Sequence, residues 1–371
     1  MNTGIGTIGK VALAAILLSC AAARAQAPAT ASAPATEGRK YALGPEWSAV
    51  ERVDITRKSQ IDTERQFLRA PGAGDSRQQV KISTILDFAF RVQRGEGGRT
   101  ILEGPVSRVR TYADDRFGGD EKKTSLDTDK PEQNVKKYSY DEKLMVLAGQ
   151  SFKLTLDEHQ SPLGVEGTEA YARRLVMRLG YNDDPSVRGL KDMMDKTFPS
   201  VVLEAFSYLP SKPVAVGEAW KIRRDLRNFE LIGHTMDPIA VENCREVIEC
   251  KLKKIEAVAG HSIAVVEFDG QWLSCDDFPK MEGSADPAPS RLARTGELRI
   301  DVESKRILSY RALTDGTAIV YYTGIMSSLP RADKPIGTNR VKYTVSMDFS
   351  YPSATTQSQP KPATTSADPK P

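Results

Sequence analysis

From residue 80 to residue 92 the chain alternates apolar and polar side chains, and this alternation constrains the fold more than any other feature. Val80, Ile82, Leu86, Phe88, Phe90 and Val92, with Thr84 among them, share one face of an extended backbone. Lys81, Ser83, Asp87, Arg91 and Gln93 share the other. A period of two with one polar face marks an antiparallel strand buried on one side only. Gly95-Glu96-Gly97-Gly98 predicts a turn, and Thr100 to Thr111 the returning strand. The pattern recurs at Phe152, Leu154 and Leu156, and again at Leu298, Ile300 and Val302. Glu303 to Arg306 then turns the chain into Ile307–Leu313, and Gly316 punctuates it before Ala318–Tyr322. Val341, Tyr343, Val345, Met347 and Phe349 alternate with Lys342, Thr344, Ser346, Asp348 and Ser350 in the clearest strand of all. Strands this long and two-faced predict a mainly β chain with a helical insert (α+β), built as a large curved antiparallel sheet or an incomplete barrel.

The insert is residues 168–209. Tyr171, Leu175 and Leu179 repeat at helical spacing with Val176 beside them, Thr168 or Gly167 caps the start, and Gly180 ends the helix. Asp184-Pro185 opens a second helix, a cap followed by proline at the first position. Its stripe is Val187, Leu190, Met194 and Phe198. Pro199 predicts a break and a third short helix through Val202, Leu203 and Phe206. The stripes predict packing against the sheet; the sharper reading is a lid over a sheet concavity. Residues 113–137 mix Asp114, Asp115, Asp120, Glu121, Asp127 and Asp129 with Lys and Gly, and read as a solvated loop. Their spacing does not fit a calcium-binding loop. Residues 276–290 read as another exposed connection.

The two ends are of a different character. Residues 1–25 read as a signal peptide, with Lys10 before the apolar run Val11 to Leu18 and the small-residue site Ala23-Arg24-Ala25 before Gln26. The run is too short to span a bilayer. The competing reading is Leu17-Leu18-Ser19-Cys20 as a lipobox, which would lipidate Cys20 and anchor the protein in a membrane. Residues 26–40, rich in Ala, Pro and Thr, and 352–371, rich in Pro, Thr, Ser, Gln and Lys, read as a disordered linker and tail around a β-rich body at 41–351. Loss of Lys10 and Arg24 with the leader takes the net charge from +3 to +1, which argues against nucleic acid as a partner. Gly4-Ile5-Gly6-Thr7-Ile8-Gly9 matches a dinucleotide motif only in spelling, since no strand precedes it.

No catalytic, cofactor-binding or metal constellation stands out. His159, His234 and His261 lack metal-ligand spacing, and no G-x-S-x-G occurs. Paired carboxylates abound, but a glycosidase places its pair by fold and not by spacing. Loss of the leader leaves Cys244, Cys250 and Cys275. Residues 242–258 and 261–275 read as two strands around Ala259-Gly260, a turn that sets Cys244 against Cys275. Pairing Leu252 with Phe268 and Ile248 with Trp272 would shift the register by one, and a bulge would restore the match. A Cys244–Cys275 disulfide with a buried Cys250 is the resulting expectation, beside the alternative of three unpaired cysteines.

Phe206-Ser207-Tyr208-Leu209-Pro210, then Val214, Gly217 and Trp220, together resemble a run in a family of exported bacterial proteins of unknown function. Thr295-Gly296-Glu297-Leu298 with Asp301 resembles a later strand of that family. The resemblance implies a β-rich extracytoplasmic fold and no activity. Three functions compete: a periplasmic or secreted binding or carrier module for an apolar ligand, a structural or interaction protein of the cell envelope, and a hydrolase with dispersed carboxylates.

Overall fold

The computed structural model describes residues 38–67, 76–117, 120–130, 145–180, 183–226, 244–274, 291–321 and 335–352. The N-terminal strands are β1 (Lys40–Tyr41), β2 (Arg52–Phe67), β3 (Ser76–Arg94), β4 (Thr100–Phe117), β5 (Asp120–Asp127), β6 (Ser151–Leu156) and β7 (Pro162–Glu166). Two helices follow, α1 (Thr168–Arg178) and α2 (Asp184–Val202), and then a 3-10 turn, Glu204–Tyr208. The C-terminal strands are β8 (Val214–Ala215), β9 (Ala219–Leu226), β10 (Cys244–Val258), β11 (His261–Ser274), β12 (Arg291–Asp301), β13 (Arg306–Tyr321) and β14 (Pro335–Ser350).

The expected mainly β, α+β architecture is present. Twelve strands form one open antiparallel sheet in the order β7-β6-β4-β3-β2-β14-β13-β12-β11-β10-β9, with β5 also paired to β4; β1 and β8 form a small second sheet. Each half is a meander of neighbouring strands, and the halves join where the last strand, β14, pairs with β2. The chain between β7 and β9, the two edges, carries α1, α2 and the 3-10 turn. Helical residues and strands from both halves share one apolar cluster, running from Tyr41 to Phe349 along the chain.

Alternation positions that core. Val53, Ile55 and Ile61 of β2, Leu86, Phe88 and Phe90 of β3, and Val341, Tyr343, Val345, Met347 and Phe349 of β14 are buried, while their sequence neighbours face outward. The helices lie directly on this face. The Phe198 ring of α2 stacks on Phe152 of β6 with centroids 4.0 Å apart and meets Phe88 edge-on at 6.2 Å. Phe206 packs against both Trp47 and Phe349.

Four local expectations are corrected. Residues 113–127 are not a loop: β4 runs to Phe117 and β5 returns beside it, pairing Thr111 with Leu126 and Ala113 with Thr124. Their charges hide the alternation because they pair with one another, Arg116 with Asp114 and Glu121, and Arg108 with Asp127. Gly316 does not interrupt β13, which runs through it and pairs it with Val341. Pro199 does not end α2. The helix continues to Val202 because Pro199, Val201 and Val202 are buried, and that burial outweighs one lost backbone bond. Its N-cap is Asp183, one residue earlier than the sequence suggests, and the Asp183 carboxylate accepts from the Ser186 amide at 2.8 Å.

The β10–β11 hairpin turns through Ala259 and Gly260, both left-handed at φ 51° and 86°, as a two-residue turn of matching twist requires. Val258 faces His261 and Ile255 faces Ala264 as the turn dictates. A bulge between Leu252 and Lys254 then shifts the register, so that Leu252 faces Val266, Ile248 faces Gly270 and Cys244 faces Ser274. Neither the Leu252–Phe268 nor the Ile248–Trp272 pair forms. Cys250 is fully buried on β10. Cys275 lies outside the described residues, as do Cys20, Ala25 and Gln26.

Candidate functional site

The sheet has two faces with different chemistry. Under the helices, the apolar packing is interrupted by one ionic network. Arg294 of β12, 1% exposed, donates through Nε to the Tyr208 hydroxyl at 2.7 Å and through Nη1 to Thr314 at 2.6 Å. Its Nη2 donates to Glu204 at 2.5 Å and to the Tyr310 hydroxyl at 2.7 Å. Arg57 of β2 donates to the other Glu204 oxygen at 3.1 Å and to the Tyr343 hydroxyl at 2.7 Å. Tyr208 in turn donates to Glu246 of β10 at 2.9 Å. Two arginines and two glutamates thus balance inside the core; Glu204 and Tyr208 of the 3-10 turn join β2, β10, β12 and β13, and Arg57 adds β14 through Tyr343. The resemblance run serves the same junction. Trp220 donates to the Tyr208 carbonyl at 3.2 Å, and the Gly217 amide to the Leu252 carbonyl at 2.7 Å.

Burial alone would raise the Glu204 pKa, but the adjacent Arg57 and Arg294 more than offset it and hold the carboxyl below the ordinary range. Burial pushes the Tyr310 and Tyr343 hydroxyls up, against the opposing pull of Arg294 and Arg57 respectively. The lowered carboxylate contributes stability that is present above its unfolded pKa, about 4.3, and is lost as pH falls through the folded value. The raised tyrosines contribute stability that is present below about pH 10 and is lost as pH rises through their folded values. Denaturant unfolding followed across pH should therefore show a plateau with an acid and an alkaline limb. Glu204→Gln should flatten the acid limb, and an acid limb unchanged in that variant would remove Glu204 as its source. The buried carboxylates Glu204 and Glu246 converge on one guanidinium but are sealed from solvent, so they form no open cleft.

On the opposite face lies a trough of about 630 Å³, within the range of small-ligand sites. The strand registers give its shape. One wall is the cross-strand row Glu297, Arg311, Ser346, Lys58 and Ile85. The other is Thr295, Leu313, Thr344, Gln60 and Ser83. Between them the floor is the backbone of Gly296, Ala312, Val345 and Ser59. The trough crosses β12, β13, β14, β2 and β3, so at about 4.8 Å per strand it is about 19 Å long, and its walls, two residues apart along each strand, are about 7 Å apart. The depression forms because central β14 offers only Thr344 and Ser346 there, while Lys58, Glu297 and Arg311 stand on the strands beside and beyond it.

Carbon makes most of the trough wall. Its hydrogen-bonding groups are not committed elsewhere: Gln60, Ser83, Thr295, Arg311, Thr344 and Ser346 form no side-chain hydrogen bond or ion pair with the described residues. Gly296 is obligatory in the floor. A Cβ there would stand 2.2 Å from the Arg311 carbonyl oxygen and 2.2 Å from the Phe268 ring on the buried side.

Sequence reasoning named Ser83, Thr344 and Ser346 as outward-facing and Thr295, Gly296 and Glu297 within the resemblance, but did not join them into a site. They are outward-facing polar positions whose cross-strand rows exist only once the register of distant strands is set. Among the described residues no group of His, Cys, Asp and Glu could hold a metal ion. His261 lies 3.0 Å from Asp301 at the β11–β12 end, and His159 is exposed; His234 lies outside the described residues. No described helix is long and apolar enough to cross a membrane.

No family model and no curated protein matches this chain. Among solved structures it is similar to a lipovitellin, described for its lipid–protein interactions, at 8% identity and a TM-score of 0.39; the match covers 83% of this chain. The chain spans only 26% of that lipovitellin. An acetoacetate decarboxylase-like enzyme from Sphingomonas wittichii RW1 matches at 7% identity and a TM-score of 0.11, covering 80% of this chain and 91% of its own. The enduracididine biosynthesis enzyme MppR, complexed with pyruvate, matches at 10% identity and a TM-score of 0.11, covering 85% and 92%. None of these scores bears on what this chain binds.

Proposed function

We propose that the protein is a binding or carrier module for an elongated apolar ligand, and that the ligand lies in the trough across β12, β13, β14, β2 and β3. The observation that carries this reading is the trough itself, long, narrow, walled mostly by carbon and edged by uncommitted hydrogen-bonding groups. The space under the helices supports it by contrast, because aromatic rings fill that face directly. The leader and the resemblance to exported β-rich proteins support a place outside the cytoplasm, with a mature N-terminus at Gln26 or a lipidated Cys20. Mass spectrometry of protein from the native envelope reads that end, and a chain still beginning at Met1 would refute both versions.

The uncharged fluorophore N-phenyl-1-naphthylamine tests the ligand site. It should bind saturably at one site per chain. Leu313→Asp should weaken it about tenfold, since a carboxylate at a half-buried position replaces apolar contact. Met177→Asp should leave binding unchanged, because Met177 is 70% exposed on α1, on the far side of the sheet from the trough. Binding insensitive to Leu313→Asp, or lost equally with Met177→Asp, would overturn the assignment.

A further inference from the structure

The two walls of the trough differ in charge, and the difference specifies the ligand further. One wall is neutral from Thr295 to Ser83. The other carries Glu297, Arg311 and Lys58. Arg311 and Lys58 each face Ser346 from opposite sides, one on β13 and one on β2. They are therefore two strands apart, about 10 Å, with a hydroxyl midway between them.

Neither cation is neutralised where it stands. Glu297 lies directly opposite Arg311 in the β12–β13 register, yet its carboxylate turns to Arg299 at 3.4 Å. Arg311 itself makes no ion pair with the described residues. Lys58 has only Asp348, at 3.6 Å and with both side chains about half exposed, and such a pair contributes little. A guanidinium, a hydroxyl and an ammonium thus stand in one cross-strand row along a carbon-walled trough. An anionic group placed there receives charge-assisted hydrogen bonds from Arg311 and Lys58 and a neutral one from Ser346. With wall residues centred about 7 Å apart, the rest of the trough takes at most one extended hydrocarbon chain, beside Ile85 or Leu313.

We infer that the ligand is a single-chain anionic amphiphile, its carboxylate or phosphate held between Arg311 and Lys58 at Ser346. This rests on the reading of the trough as the ligand seat. The acid group comes from a free fatty acid or from a lysolipid phosphate, and the two share the same recognition.

Calorimetric titration below the critical micelle concentration tests the assignment with four probes: dodecanoate, dodecyl phosphate, dodecanol and inorganic phosphate. Dodecanoate or dodecyl phosphate should bind at least tenfold more tightly than dodecanol, and the tighter of the two identifies the acid group. The double variant Arg311→Gln/Lys58→Gln should lose about that factor for the anionic probe and leave dodecanol unchanged, since charged hydrogen bonds alone are removed. Leu313→Asp should weaken every alkyl probe. Dodecanol binding as tightly as the anions, or a double variant without effect, overturns the anionic assignment while leaving the trough occupied. Inorganic phosphate binding as tightly as dodecyl phosphate overturns the single-chain part. Alkyl probes indifferent to Leu313→Asp overturn the trough reading itself.

Discussion

Replacing Arg294 by alanine is expected to cost about 3–5 kcal/mol of stability, a large share of the roughly 5–15 kcal/mol that holds a typical domain folded. Arg294 supplies all three guanidinium nitrogens to the core network, and its loss leaves Glu246 without the cation 3.6 Å away and Glu204 with Arg57 alone. Tyr208, Tyr310 and Thr314 lose their shared donor at the same time. None can turn to water, because all three are buried in the core. A variant that removes charge in balance separates the two components of the effect. Arg57→Met/Arg294→Met/Glu204→Leu/Glu246→Leu should be markedly more stable than Arg294→Ala, since well-packed apolar groups replace a buried ion network at little or no net cost. Urea midpoints measured for both variants decide the matter. A single variant within about 1 kcal/mol of the parent would show that the network is not a structural joint.

Phe198→Ala is expected to be comparably severe, at about 3–5 kcal/mol. The ring is the principal aromatic contact between α2 and the β3–β6 region, stacked on Phe152 and edge-on to Phe88. Its removal opens a cavity that neither strand can collapse to fill. Hydrogen exchange should show α1 and α2 losing protection before the sheet does, because α2 then loses its two ring contacts to β3 and β6 while the sheet keeps its ladders. Simultaneous loss of protection in insert and sheet would contradict this order.

The sequence disclosed the parts of this fold that depend on local pattern. The alternation of 80–92 and 341–349 and the stripes of α1 and α2 follow from which neighbours a residue has along the chain. The outcome at 113–127 shows where such reading stops. There the polar partners of Asp114, Arg116 and Glu121 lie partly across a ladder, so charges that suggest a solvated loop are instead the outer face of a hairpin. Pro199 likewise looks like a stop until its burial is known. Arg57, Glu204 and Arg294 gave no signal, because each is an isolated charge at an apolar-phase position and the three meet only through tertiary structure. Arg311 and Lys58 gave none either: they are separated by most of the chain and become near neighbours only through β14.

That placement of β14 has a consequence for how the molecule is made. β14, the C-terminal strand among the described residues, is at the middle of the sheet, between β2 and β13. Until it pairs, the chain holds two half-sheets, each with an unpaired edge along a 16-residue strand, β2 or β13, where pairing with another chain is easiest. Joining them closes a loop of nearly the whole chain, so the β2–β14 seam should zip late and set the overall folding rate. The trough straddles that seam and exists only once β14 has paired with β2.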